Sequence, residues 1–158
     1  MQNPNPELGV RRTQRELQDL SEDAELSMLR DEIFDQIRTI RDPEHDFSLE
    51  ELSVVSEEGI ELTRRTGRPN AMDCTVYYVP TVPHCSLALL IGLCIRQKLC
   101  RNVLPHFSIK LQILIEEGTH QDAAAVNKQV GDKERCAAAM ENPQLRRMVE
   151  KLTREPEE

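Results

Sequence analysis

Residues 71–117 read AMDCTVYYVPTVPHCSLALLIGLCIRQKLCRNVLPHFSIKLQILIEE. In the first part, Cys74, Val76 and Tyr78 alternate with Thr75, Tyr77 and Val79, the period-2 pattern of a β-strand. From Cys85 onward the period changes. Leu87, Leu90, Ile91, Cys94, Ile95 and Leu99 recur at helical spacing, and Leu89 and Leu93 make the segment apolar almost all round. Such a helix is buried. Gly92 sits in its middle at a propensity cost of about 1 kcal/mol relative to Ala, which close backbone packing would offset. After Pro105, Ile109, Leu111, Ile113 and Ile115 alternate again as a further strand. Strand, buried helix and strand in succession predict a β-α-β crossover, with parallel strands and a right-handed connection.

Working outward toward the N-terminus, Leu26, Leu29, Ile33, Ile37 and Ile40 form one face of a helix that Ser21 would open. Asp42-Pro43 ends it, because the residue before proline is pushed out of the α region. Ser48 and Glu51 make the S-x-x-E of a capping box, enough for a single turn. A strand is predicted over 54–62, bulged near Gly59, and TGRPN at 66–70 is a turn, so this strand and the next should pair as an antiparallel hairpin. Toward the C-terminus, Asp122 caps a helix with Val126, Val130, Lys133, Ala137 and Met140 roughly in line, kinked or split at Gly131. Asn142 as N-cap with Pro143 behind it opens a last helix, with Leu145, Met148, Val149 and Leu152 inward. Residues 1–20 are polar, hold two Asn-Pro pairs and show no sustained period, the pattern of a disordered tail. Residues 21–155 form a single domain. The fold class is therefore α+β: a small three-stranded mixed sheet, one β-hairpin plus one right-handed β-α-β crossover, packed with helices.

The bulk composition narrows the functional classes. A chain of 158 residues, 39% hydrophobic and 30% charged, suits one soluble domain. No apolar run approaches the roughly 20 residues that span a bilayer, so no membrane partner is expected. The opening MQNPNPELGVRRTQRE has no apolar run after its charges and is no secretory signal. The five cysteines include no C-x-x-C pair, which argues against a disulfide framework and a closed zinc site and for a reducing compartment, the cytosol. The net charge of −8 argues against nucleic acid as a direct partner. No acidic residue occurs from Cys74 to Ile115, where Arg96, Lys98, Arg101 and Lys110 are basic. A core segment poor in charge explains this; a mildly basic surface attracting an acidic partner is the sharper reading.

The crossover places PTVPHCS and EEGTHQ at the carboxyl ends of two parallel strands, the edge where open sheets gather their sites. His84, Cys85, Glu117, Thr119 and His120 thereby converge. Cys85 would sit at a helix N-terminus, where unpaired amides and the helix dipole can lower a thiol's pKa below its free value. A small half-buried loop cysteine is the plain alternative. Cys74, Cys94, Cys100 and Cys136 read as packing residues, and they lack the short spacings of an iron–sulfur cluster site. His45 and His106 lie beside prolines in turns and read as solvated. A Cys-His hydrolase or transferase would use Cys85 as nucleophile, His120 as base and Glu117 to orient it. The sequence shows no nucleophile elbow and no oxyanion motif to support that.

DPE at 42–44, SLEEL at 48–52, PTVPHCSLALLIGLCIRQKL, EEGTH and VNKQVGDKERCAAAMENPQLRRMVE together resemble the cytosolic iron–sulfur assembly component 2 family over about residues 30–155. DPEH, VVSE, TVPHCSLA, LIGLC, AAAMENP and the glutamate-rich end resemble its A paralogue most. Tyr77-Tyr78, Gly131 and Cys136 depart from the family pattern at packing positions and leave the Cys85 loop intact. The resemblance implies a non-enzymatic cytoplasmic adaptor in the cytosolic iron–sulfur targeting complex. Its implied partners are a WD-repeat β-propeller subunit, client apoproteins that receive clusters and, through the B paralogue, a helical-repeat scaffold. The A paralogue implies an iron regulatory protein among the clients, and the family carries a link to chromosome segregation. The family's reactive cysteine corresponds to Cys85, contacting a cluster or a client thiol, with His84, Glu117, Thr119 and His120 in support. No cofactor is expected to be firmly bound; a transient iron–sulfur cluster at Cys85 and a swapped homodimer are both left open.

Overall fold

A computed structural model describes residues 14–155. Its elements run α1 (Gln14–Ile37), β1 (Ile60–Arg65), β2 (Arg68–Tyr78), α2 (Cys85–Asn102), β3 (Ser108–Ile115), α3 (Ala123–Val130), α4 (Lys133–Met140) and α5 (Pro143–Thr153). The expected α+β class and the three-stranded mixed sheet are both present. β2 is central: it pairs antiparallel with β1 (Ile60 opposite Val76, Leu62 opposite Cys74) and parallel with β3 (Cys74 opposite Leu111, Tyr78 opposite Ile115).

The alternation along the strands sets the layers. Ile60, Leu62, Cys74, Val76, Tyr78, Leu111, Ile113 and Ile115 are buried under the helices, whereas Glu61, Thr63, Lys110 and Gln112 lie exposed on the other face. α2 lies at the centre of the helical layer, touching α1, α3, α5 and β3. Gly92 makes the closest approach. A Cβ there would lie 2.8 Å from both Tyr78 Oη and a Val130 methyl. The Tyr78 hydroxyl donates to the Ala88 carbonyl at 2.8 Å, so the buried phenol is satisfied by the same helix.

The structure departs from the local sequence pattern at several points. α1 extends back to Gln14, so residues 14–20 are helical rather than tail, and the rest of the expected tail lies outside the described residues. β1 starts at Ile60, not near 54; Ser56 instead caps a 3-10 turn (Glu57–Gly59), its hydroxyl accepting from the Gly59 amide at 3.2 Å. Val54 and Val55 are buried without being strand, because Val54 exchanges backbone bonds with Leu49 and Val79. The irregularity of β1 falls at Arg64/Arg65 rather than at Gly59, and the end of TGRPN belongs to β2. Gly131 does separate two helices, and Asp132 caps the second through the amides of Glu134 and Arg135. That restart rotates α4, so Cys136 turns inward while Lys133 and Ala137 are exposed. Met148 is 43% exposed; Val149 and Leu152 carry the contact of α5. The capping box is formed in both directions, Glu51 N to Ser48 Oγ at 3.2 Å and Ser48 N to Glu51 Oε1 at 2.9 Å.

Candidate functional site

The parallel register of β2 and β3 brings their carboxyl ends together, and the two loops that leave them meet over the N-terminus of α2. His84 occupies the N-cap position with extended backbone (φ −72°, ψ 124°) and makes no side-chain capping bond. Cys85, the first helical residue, is exposed, whereas Cys74, Cys94 and Cys136 are buried and Cys100 is half-buried. In the facing loop, Gly118 takes φ +82°, a left-handed conformation that favours glycine. This turn lets Thr119 donate to the Glu116 carbonyl through its amide (3.2 Å) and its hydroxyl (2.6 Å).

The closest partner of Cys85 is Asp122, which the sequence reading treated only as a helix cap. Its carboxylate makes no capping bond and instead accepts from Cys85 Sγ at 3.3 Å. The Asp122 amide donates to His120 Nδ1 at 3.0 Å. A neutral His120 therefore carries its proton on Nε2, which is buried and has no hydrogen-bond partner among the described residues. His84 and Glu117 are exposed, and neither makes a side-chain hydrogen bond to the cysteine among the described residues. The signal for Asp122 was available. It precedes the helix that follows β3, so the topology already put it at the Cys85 edge. A second unanticipated carboxylate is Asp42, 4% exposed, which accepts from the amides of Glu44 and His45 and from Thr81 Oγ1 at 3.1 Å. It ties the loop before Cys85 to the turn at residues 42–45.

This geometry overturns the expectation of a lowered thiol pKa. The hydrogen bond from Sγ to the Asp122 carboxylate, helped by desolvation, raises the Cys85 pKa above its ordinary value, because ionisation would place two negative charges side by side. Burial pushes Cys74 and Cys94 further, each to about 12. Cys100 and Cys136 are also raised by burial, partly offset by Arg96. Cys85 is thus set apart by access rather than by acidity. No group of three or more His, Cys, Asp or Glu suited to holding a metal ion occurs among the described residues. Among the same residues no helix is long and apolar enough to cross a membrane.

No protein-family model matches the chain. It is 53% identical over 129 residues to the MIP18 family protein galla-1 of Drosophila melanogaster, spanning 58% of that protein's length. It is 46% identical over 126 residues to the MIP18 family protein F45G2.10 of Caenorhabditis elegans, covering 76% of it. The mouse protein named cytosolic iron-sulfur assembly component 2B is 44% identical over 151 residues, which is 94% of this chain and 88% of the mouse protein. These matches leave the choice between A and B paralogues undecided, but at such identity over so much of each chain they establish the family: the chain belongs to the MIP18 family, together with cytosolic iron-sulfur assembly component 2B.

Proposed function

We propose that this protein is a non-enzymatic adaptor of cytosolic iron–sulfur protein assembly, which presents Cys85 to a cluster or to a client thiol during delivery to apoproteins. The observation that carries the reading is the likeness, over 94% of the chain, to a protein named for cytosolic iron–sulfur assembly. The site supports it by offering one exposed thiol beside a carboxylate. As Sγ ligates iron, its proton passes to Asp122, and the remaining ligands come from the partner that brings or takes the cluster. His84 and His120 border the thiol, and Glu117 and Thr119 shape the facing turn. The partners in this reading are a WD-repeat propeller, a helical-repeat scaffold and client apoproteins, an iron regulatory protein among them, with the cytoplasm as location and chromosome segregation as a downstream consequence.

A Cys-His hydrolase is disfavoured by the geometry. The thiol hydrogen points at Asp122, His120 Nδ1 is occupied by a backbone amide, and its Nε2 is buried, so His120 does not stand ready as the base that takes the thiol proton. The test is affinity purification of the chain and of Cys85→Ser from cytosol, reading both propeller co-purification and iron loading of client enzymes. The expected result is that Cys85→Ser keeps the propeller and loses client maturation. Full maturation with Cys85→Ser, or thioester turnover by the unmodified chain, would overturn the reading.

A further inference from the structure

A second surface lies along the outer edge of β3, three turns of α2 away from Cys85. The Glu116 amide reaches back to the Tyr78 carbonyl at 2.9 Å, whereas the Ile115 amide points the other way, to Asn127 Oδ1 at 2.7 Å. Backbone groups alternate along a strand, so the amides of Ile109, Leu111 and Ile113 also point away from β2. No hydrogen bond to these three amides on that side occurs among the described residues. Asn127 and the full burial of Ile113 close the top of the edge, and the open part runs beside Ile109 and Leu111. Beside it runs a groove of two adjoining cavities of about 360 and 370 Å³, walled by β3 on one side and by Gly131 and Lys133 on the other.

The groove is cationic. Arg96 lines both cavities and is only 6% exposed, its Nε donating to the Val130 carbonyl at 3.0 Å. It forms no ion pair with a carboxylate among the described residues. The other buried cation, Lys98, is paired with Glu155 at 3.1 Å. Buried charges are ordinarily paired, so Arg96 is the exception, and exposed Lys110 and Lys133 add to its charge. Leu104 and Ile109 supply apolar wall beside it.

We infer that the open edge of β3 binds an extended acidic segment of a partner protein, which adds as a fourth strand with a carboxylate at Arg96 and an apolar side chain against Leu104 and Ile109. Strand addition takes its affinity from main-chain bonds and its specificity from alternate side chains, and charge complementarity selects acid here. A second copy of this chain is the poorer occupant, because two-fold pairing of β3 edges would set Arg96, Lys110 and Lys133 against themselves. The surface goes beyond the adaptor reading and does not depend on Cys85.

The probe is a fluorescein-labelled peptide of about eight alternating Asp and Leu residues, a strand's length, titrated into the full chain by fluorescence polarisation. Controls are the Lys-Leu counterpart and an Asp-Leu peptide N-methylated at alternate amides. The Asp-Leu peptide should bind and both controls should not. Lys110→Glu and Lys133→Glu, at exposed positions that leave the melting curve unchanged, should each weaken binding about tenfold or more, since like charges then face each other. Amide exchange followed by NMR should slow at Ile109 and Leu111, the edge amides that border the groove. Equal binding of the Lys-Leu peptide, indifference to both reversals, or protection confined to other amides would overturn the inference. So would a dimer in sedimentation that itself protects those two amides.

Discussion

Cys85 illustrates how a single neighbour reverses an argument made from position. A helix N-terminus favours a thiolate, yet the carboxylate of Asp122 at 3.3 Å outweighs it and raises the pKa. Two consequences follow for iodoacetamide labelling of native protein read by peptide mass spectrometry. Cys85 should label first, because access distinguishes it from four more enclosed thiols. Its rate should rise with pH at a midpoint above, not below, that of an ordinary thiol. Asp122→Asn removes the opposing charge, so the midpoint should fall and labelling near neutral pH should speed up. An unshifted midpoint in Asp122→Asn would mean that the Cys85–Asp122 contact is not what sets the thiol's acidity.

Among the elements, α2 depends on an absent side chain and α5 on its cap. Gly92→Ala gains helix propensity of about 1 kcal/mol, but the new Cβ would stand 2.8 Å from Tyr78 Oη and Val130. Overpacking costs about 1–3 kcal/mol and threatens the buried Tyr78–Ala88 hydrogen bond, so the urea midpoint should drop, and drop further in Gly92→Val. A stabilised Gly92→Ala would show that α2 and α3 can separate without loss. For α5, Asn142 Oδ1 accepts from the amides of Gln144 and Leu145 at 2.9 and 3.2 Å. Asn142→Ala should cost about 1 kcal/mol, visible as faster amide exchange in the first turn of α5. Both features were legible in the sequence, the first as an expensive glycine in an apolar helix and the second as an Asn-Pro pair. The start of β1 was not. Val54 and Val55 have strand-like side chains, but their burial comes from a turn held to Leu49 and Val79, contacts that no local pattern announces.

For the whole molecule, the buried thiols make alkaline pH a lever on stability. Cys74 and Cys94 ionise near 9.0 when exposed and at about 12 when folded. A group whose pKa is raised by folding contributes stability that is complete below its unfolded pKa and is lost as pH climbs toward the folded value. Between about pH 9 and 12 each thiol should therefore remove up to about 1.4 kcal/mol per pH unit, with Tyr78, also raised by burial, adding to the loss. Urea midpoints should be level from pH 7 to 8.5 and fall beyond, and Cys74→Ala should flatten the decline. An identical slope in Cys74→Ala would remove that thiol from the balance.

Most of the architecture was determined by the sequence alone, because periodicity is a local property. Alternation over 71–79 and 108–115, a helical stripe between them and the handful of caps were enough to specify a mixed sheet with a central crossover, and the crossover in turn named the edge where Cys85 lies. The partners of that cysteine were a different matter. Whether Sγ meets His120, Glu117 or Asp122 depends on how a loop turns at Gly118 and where α3 begins, distances of a few ångströms set by contacts between residues 37 positions apart. The unpaired edge of β3 and the buried, acid-free Arg96 belong to the same class. A sequence shows which groups exist and how they repeat, but which charge stands beside which, and which amide is left without a partner, is decided only when the chain closes on itself.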